Sequence, residues 1–282
     1  MLEIYILEER AMKRILLISD THYCEPEYGG ISRDEKMERL IEQINKEHQR
    51  SPIECILFLG DYSLDHWGWQ IQGSWVKHGR SYTKEFVEKY LSRLTVPYYM
   101  IAGNHEQYGE ELWRSITGFS RELEVVVGDC LFILWDSFGA ELDPDFHSDG
   151  KYTAPNVEKI RGIMDTHKGK RIILCSHYFL PSGSESEKAL VSDERVVCLF
   201  QGHTHSSKII TLPEDYGSKL LIQTGSWAGI NNESNERWGI RELCIYDDKL
   251  TTAYIVAEHS LAHEGKAYTF PAEVRDEAEI EL

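Results

Sequence analysis

Residues 55–61 read CILFLGD, and this stretch decides the fold. Five apolar residues precede Gly60, and a carboxylate follows. A short unbroken apolar run reads as a strand buried on both faces, of the kind found in parallel sheets. Gly60 lets the backbone turn where a side chain would obstruct. Asp61 is then presented at the strand's carboxyl end, where open α/β sheets put their ligands. The design recurs at 14–22, RILLISDTH, at 98–106, YYMIAGNHE, at 171–177, RIILCSH, and at 196–205, VVCLFQGHTH. Each apolar strand ends in Asp, Asn or His. One such end is ordinary capping. Five, all ending in metal-ligand types, point to a shared site.

The five ends run from Asp20 to His205 and must meet, which favours a single domain across residues 1–264 of the 282. Residues 1–12 read as an N-terminal extension, with Met12 an alternative start directly before KRILLISDTH. Residues 265–282 are polar and acidic and read as a docked arm or frayed tail. Thirty Lys and Arg against 47 Asp and Glu give a formal charge of −17, which argues against a broad nucleic-acid or anionic-membrane footprint. A small phosphorylated substrate stays compatible, because bound cations reverse the field locally. None of the six cysteines forms a C-x-x-C pair, and four sit in strand-like runs. With no spanning segment and no signal pattern at the start, the expectation is a reduced, cytoplasmic protein.

Between the strands the chain carries helical signals. Ser32 and Glu35 form a capping box ahead of Met37, Leu40, Ile41 and Ile44 at helical spacing. A second helix turns Phe86, Val87, Tyr90, Leu91 and Leu94 inward, and a third covers 156–167. Gly128-Asp129 joins two strands as a hairpin, and the chain beyond 208 is β-rich. Residues 62–82 show no period but hold Trp67, Trp69 and Trp75, with His66, His78 and Arg80. Two readings stay open: a surface loop pinned by its aromatics, or a substrate rim built on Trp67, Trp69 and Arg80.

The strand ends collect Asp20, His22, Asp61, Asn104, His105, His177, His203 and His205. Carboxylate, carboxamide and imidazole together suit Mn, Fe or Zn. D-x-H and H-x-H each place two side chains on the same side of an extended segment, a ready chelate. Eight groups exceed the needs of one ion, so two ions are the natural reading, with Asp61 suited to bridge them.

The ordered set D-x-H, GD, GNHE, H, GHTH resembles the calcineurin-like metallophosphoesterase superfamily, over roughly residues 13–254. That resemblance implies an α/β fold of two packed mixed β-sheets flanked by helices, an αββα sandwich. It implies one metal on Asp20, His22, Asp61 and His205, and a second on Asp61, Asn104, His177 and His203. His105 matches the family's non-ligand histidine near the leaving group, the catalytic residue. The chain departs from the protein Ser/Thr phosphatases, which have GDxxDRG and an Arg before GNHE. Here Asp65 lies one place late in GDYSLD, and Ala102 precedes GNHE. GHTH is similar to the smaller phosphodiesterase-type members, although His177 sits in SHYF rather than HHP.

The expected function is a phosphoester hydrolase with a dinuclear metal centre, a phosphodiesterase acting on a small phosphorylated or nucleotide-like substrate. The alternatives are a phosphomonoesterase or phosphoprotein phosphatase of the same superfamily, or a non-catalytic metal-binding scaffold. A nuclease fits the −17 charge poorly. A monoester dianion needs extra positive donors, for which Lys77, Arg80 and Arg237 are the candidates by position.

Overall fold

The apolar runs are strands whose side chains alternate between two cores. The computed structural model describes residues 12–24, 30–66, 81–140, 142, 150–228, 237–263 and 265–282. In β1 (Lys13–Ile18), Ile15 and Leu17 enter one core while Leu16 and Ile18 enter another. A strand covered on both faces has no polar side, which is why the run is continuous. The Ser32 hydroxyl caps α1 (Arg33–Arg50) by accepting from the Glu35 N–H at 3.1 Å. After β2 (Cys55–Leu59), α2 (Tyr82–Lys89) leads to β3 (Tyr98–Ile101). This helix is shorter than its apolar spacing suggested: Leu91 reaches the core from a separate 3-10 turn, Leu91–Arg93. Next, α3 (Glu110–Thr117) stops at Gly118, whose φ of 82° is the left-handed conformation that ends helices.

The hairpin β4 (Leu123–Val127) and β5 (Cys130–Trp135) forms around Gly128-Asp129 as expected. Asn156 caps α4 (Val157–Thr166), and β6 (Arg171–Ser176), α5 (Glu185–Val191) and β7 (Val196–Gln201) follow. The β-rich remainder is β8 (Ile209–Thr211), β9 (Leu220–Gln223), β10 (Gly239–Ile245), β11 (Lys249–Val256), β12 (His259–His263), β13 (Lys266–Phe270) and β14 (Glu273–Glu281).

Two six-stranded mixed sheets result, ordered β14-β11-β10-β1-β2-β3 and β4-β5-β6-β7-β9-β8. Between them lie Ile15, Leu17, Leu57 and Leu59 from the first, with Phe132, Ile173, Cys175 and Phe200 from the second. The first sheet's other face packs on α1, α2 and α3, and the second sheet's other face on α4 and α5. This is the four-layer αββα arrangement the resemblance implied. Parallel register aligns the functional ends: Ile18 opposes Phe58, Leu59 opposes Ile101, and Ser176 opposes Gln201. Each pair is followed within three residues by the polar residues of interest.

Of the two readings of the acidic stretch 265–282, a docked arm or a frayed tail, the structure has the docked one, as paired strand. β13 forms a hairpin with β12, and β14 runs antiparallel along β11 as the edge of the first sheet. Alternation in EVRDEAEIE was the available signal, and its charges suit an edge by discouraging further pairing. Among the described residues, no helix is long and apolar enough to cross a membrane.

Arg14 ties α1 to the first sheet. It is 1% exposed, and its guanidinium donates to Glu47 O at 2.6 Å, to Ser51 O at 2.9 Å and to the Glu47 carboxylate at 2.5 Å, and also to Glu242. Arg14→Leu leaves Glu47 buried without its main counter-charge. We expect a loss of about 3–5 kcal/mol, read as a lower urea midpoint at unchanged slope. A loss below about 1 kcal/mol would mean that Arg50 and Gln43, which also bind Glu47, suffice.

Candidate metal centre

Where the strands stop, their loops stay in step. Asp20 N–H donates to Gly60 O at 3.0 Å and His22 N–H to Asp61 O at 3.2 Å, so the D-x-H and GD turns run side by side. The backbone then turns sharply. Among the described residues, seven non-glycines have positive φ, and five are Asp20, His22, Asp61, His203 and His205, at 42° to 66°. Each such conformation costs roughly 1–3 kcal/mol, so the strain is concentrated where side chains must point into one space.

The side chains converge. His22 Nε2 lies 3.0 Å from His205 Nε2, 3.9 Å from Asp20 Oδ1 and 4.0 Å from Asp61 Oδ2. His205 Nε2 is 3.4 Å from Asp20 Oδ1. On the other side, His177 Nε2 is 3.2 Å from Asp61 Oδ2, and the Asn104 amide is 2.9 Å from both His177 Nε2 and His203 Nδ1. Within each of the sets Asp20–His22–His205 and Asp61–His177–His203, the ligand atoms lie within 4.8 Å of one another. A third set, His22–Asp61–His105, links them through Asp61. Carboxylate oxygens and ring nitrogens are thus aimed at each other, an arrangement that cations satisfy and that fits the expected group. His203 and His205 are partly exposed, whereas Asp20, His22, Asp61, Asn104, His105 and His177 are buried, so access is from the GHTH turn.

The backbone fixes His105 on both sides. Its N–H donates to Asp61 Oδ1 at 3.1 Å, and its carbonyl lies 2.8 Å from His66 Nδ1. Its Nε2 stands 3.8 Å from Asp61 Oδ2. Asp65, the displaced second aspartate of GDYSLD, binds elsewhere: its carboxylate accepts from Ser81 Oγ at 2.6 Å, from Tyr82 N–H at 2.9 Å and from Tyr108. It anchors the start of α2.

Electrostatics reflect burial opposed by neighbours. Burial would raise the Asp61 pKa, but the His177 and His105 charges hold it well below the usual carboxylate range. Burial would lower His177, but Asp61 pushes it up to about 9. His22 is driven well below its ordinary value by burial and by His205. His177 Nδ1 is 2.7 Å from Leu59 O and donates to it, which aims Nε2 at the cluster.

Two participants escaped the sequence reading. Glu106, the last letter of GNHE, is buried and accepts backbone N–H groups from Asp61 at 2.8 Å, Tyr62 at 3.0 Å, Ser63 at 3.3 Å and Gly103 at 2.9 Å. Burial and Asp61 push its pKa up to about 8, against those N–H groups. Lys36, buried on α1, donates to His22 O at 3.0 Å, and burial lowers its pKa to about 8. Of the residues expected at a substrate rim, Trp67, Trp69 and Arg80 lie outside the described residues, as does Lys77. Arg237 pairs with Glu273 at the start of β14 and stacks over Phe270 at the end of β13, at 5.5 Å.

Two sets of candidate metal ligands thus meet at the carboxyl edges of two mixed sheets. The calcineurin-like phosphoesterase family matches residues 13–207, more than half the chain, and the protein belongs to that family. The fold is similar to a dimetal phosphatase from Danio rerio, at 14% identity and a TM-score of 0.62, covering 93% of this chain and 99% of that one. It is also similar to a purple acid phosphatase from yellow lupin (Lupinus luteus) seeds, at 12% identity and a TM-score of 0.58, covering 93% of this chain and 53% of that one. A third likeness is to the inner-membrane-complex anchor of Plasmodium, at 12% identity and a TM-score of 0.52, covering 94% and 90%. At these identities the likeness is one of fold. No curated protein sequence matches the chain.

With the His177 pKa at about 9, the ring is protonated near neutral pH, and a cation taken up through Nε2 must displace that proton. Loading with Mn(II) or Zn(II) near neutral pH is therefore expected to release protons, and apparent affinity to rise with pH until the ring is neutral. Calorimetry in buffers of different ionisation enthalpy reads this directly. Release that persists unchanged in His177→Ala would show another group to be the source.

Proposed function

We propose that the protein is a phosphodiesterase for small phosphorylated or nucleotide-like substrates, working with two cations, each Mn, Fe or Zn. The observation that carries this is the position of Asp61 Oδ2, 3.2 Å from His177 Nε2 and 4.0 Å from His22 Nε2 and so between the two sides of the cluster, with His105 Nε2 3.8 Å away. In this reading Asp20, His22, Asp61 and His205 hold one ion, and Asp61, Asn104, His177 and His203 the other. Held by these residues, two cations would supply charge for the phosphoryl oxygens and the transition state, and a deprotonated water. The protein's own part is positional. Glu106 fixes the backbone of both the GD and GNHE turns, and Lys36 fixes the His22 carbonyl. His105, oriented by its backbone contacts to Asp61 and His66, donates a proton to the departing alkoxide.

A diester is favoured over a monoester because Arg237, one of the cations considered for a dianion, is committed to Glu273. Retention of every ligand position argues against a non-catalytic scaffold. The six free cysteines, all buried, support a reducing, cytoplasmic setting.

Metal analysis tests the assignment. Saturation with Mn(II) should give two ions per chain, Asp61→Ala should disturb both, and His22→Ala should weaken one. A single ion, with His177 and His203 unliganded, would overturn the dinuclear reading.

His105 is tested by leaving group. His105→Ala should keep both ions and lose about a hundredfold or more on an alkyl or nucleoside ester. The loss should be clearly smaller on a p-nitrophenyl ester, whose phenolate departs unprotonated. Equal loss on both would assign His105 to orienting phosphate rather than donating a proton.

A further inference from the structure

An aromatic wall stands beside the His177–His203 end of the cluster, and the chemistry above does not use it. Phe138 packs against His177 and His203, with ring centroids 5.8 and 5.7 Å apart. Tyr178 lies 4.5 Å from His203. Tyr152 completes the wall, 5.8 Å from Tyr178 and 6.3 Å from Phe138. The rings come from three places: the turn after β5, the segment before α4, and the residue after His177.

The wall is firmly held. The Tyr152 hydroxyl donates to Leu180 O at 3.3 Å and accepts from Leu180 N–H at 3.2 Å. Tyr178 N–H donates to Ser137 Oγ at 3.1 Å. Gly150, at φ 71°, lets the backbone pass close by: a Cβ there would lie 3.2 Å from Asn104 O and 3.4 Å from Phe138. Support of His203 accounts for Phe138, which is buried. It does not account for the wall continuing outward through half-buried Tyr152 and Tyr178 to Leu180, which is 49% exposed. Tyr152 meets Phe138 and Tyr178 edge-on, at 78° and 75°, so among the described residues these rings make a partly apolar lip with half-buried tyrosine edges and faces beside the site, suited to contact with another ring.

Direction decides what the lip can hold. His105 packs toward His22, with ring centroids 5.4 Å apart, and its Nε2 lies 3.8 Å from the central Asp61 Oδ2. A group that departs toward His105 leaves on the His22 side. The wall touches His177 and His203, so it meets a substituent that stays on phosphorus. We propose that Tyr178, flanked by Tyr152 and Leu180, is a subsite for an aryl or nucleobase-like group on the non-leaving ester arm. The substrate is then a phosphodiester with a flat aromatic arm. This rests on the phosphoesterase reading and on His105 as the donor to the leaving group.

The test compares phenyl p-nitrophenyl phosphate with methyl p-nitrophenyl phosphate on the Mn(II)-loaded protein. Leaving group and charge are the same, and only the staying arm differs. The wild-type protein should favour the phenyl arm by about tenfold in kcat/KM, mostly through KM. Tyr178→Ala should remove most of that preference, and Tyr178→Phe, which keeps the ring, should retain it. Calorimetric binding of diphenyl phosphate against dimethyl phosphate should show the same pattern without turnover. Tyr178→Leu, which keeps apolar bulk, supplies the reading if the alanine variant does not fold. A preference that survives loss of the ring, an equal fall on both esters, or no wild-type preference overturns the subsite. Hydrolysis of p-nitrophenyl phosphate alone also overturns it and leaves the hydrolase standing. Hydrolysis of none of the three esters overturns the phosphoesterase reading itself.

Discussion

The site depends on two glycine backbones touching. A Cβ on Gly103 would lie 2.1 Å from Asp61 Oδ1 and 2.5 Å from Asp61 N, and a Cβ on Gly60 would lie 2.7 Å from Gly103 Cα and 2.6 Å from His177 Nδ1. No side chain fits at such distances, so the ends of β2 and β3 approach only as glycine. Gly202 repeats the device, with its Cβ position 2.7 Å from Ser19 Cβ and 2.9 Å from Asp20 Oδ2. These contacts bring Asp61, Asn104 and His177 together, and Asp20 and His203 with them. Larger residues would push the strand ends apart and separate the ligand sets.

Close approach alone would leave backbone N–H groups buried without acceptors, and Glu106 resolves that. Four of them, from both turns, donate to its carboxylate. A buried carboxylate is costly without partners, and buried N–H groups are costly without acceptors. Each need answers the other here. The strained φ angles of Asp20, His22, Asp61, His203 and His205 persist because this network and the sheet register hold the backbone around them. Stability made in the cores is thus used to hold ligands in conformations they would not adopt alone.

Much of this was legible in the sequence. Strands buried on both faces leave unbroken apolar runs, and a site at their carboxyl ends leaves Asp, Asn or His soon after them, so the buried strands and the convergent residues could be read, while the two-sheet layering came from the family resemblance. Less could be read where structure depends on long-range packing. β14 has charges on an edge strand and no apolar run to mark it. Phe138, Tyr152 and Tyr178 meet from three segments without any shared period. Glu106 was visible as a letter of GNHE, but its role belongs to N–H groups that sequence does not display. Asp65 lies one place past the second aspartate of GDxxDRG, and it binds Ser81, Tyr82 and Tyr108.

Charge links the metal site to substrate choice. A chain at −17 repels polyanions and attracts cations, and the buried carboxylates of Asp20 and Asp61 deepen that field at the cluster. In the proposed reading, an anionic substrate would be accommodated once cations had reversed the sign locally. The more charge it carries, the more it needs donors that the protein itself must supply. A monoanionic diester needs fewest, and it carries a second arm able to gain affinity from an uncharged aromatic surface. On an acidic protein, stacking and dispersion are contributions to binding that do not oppose its own field. The placement of Phe138 against His177 and His203, and of Tyr178 against His203, follows the same logic.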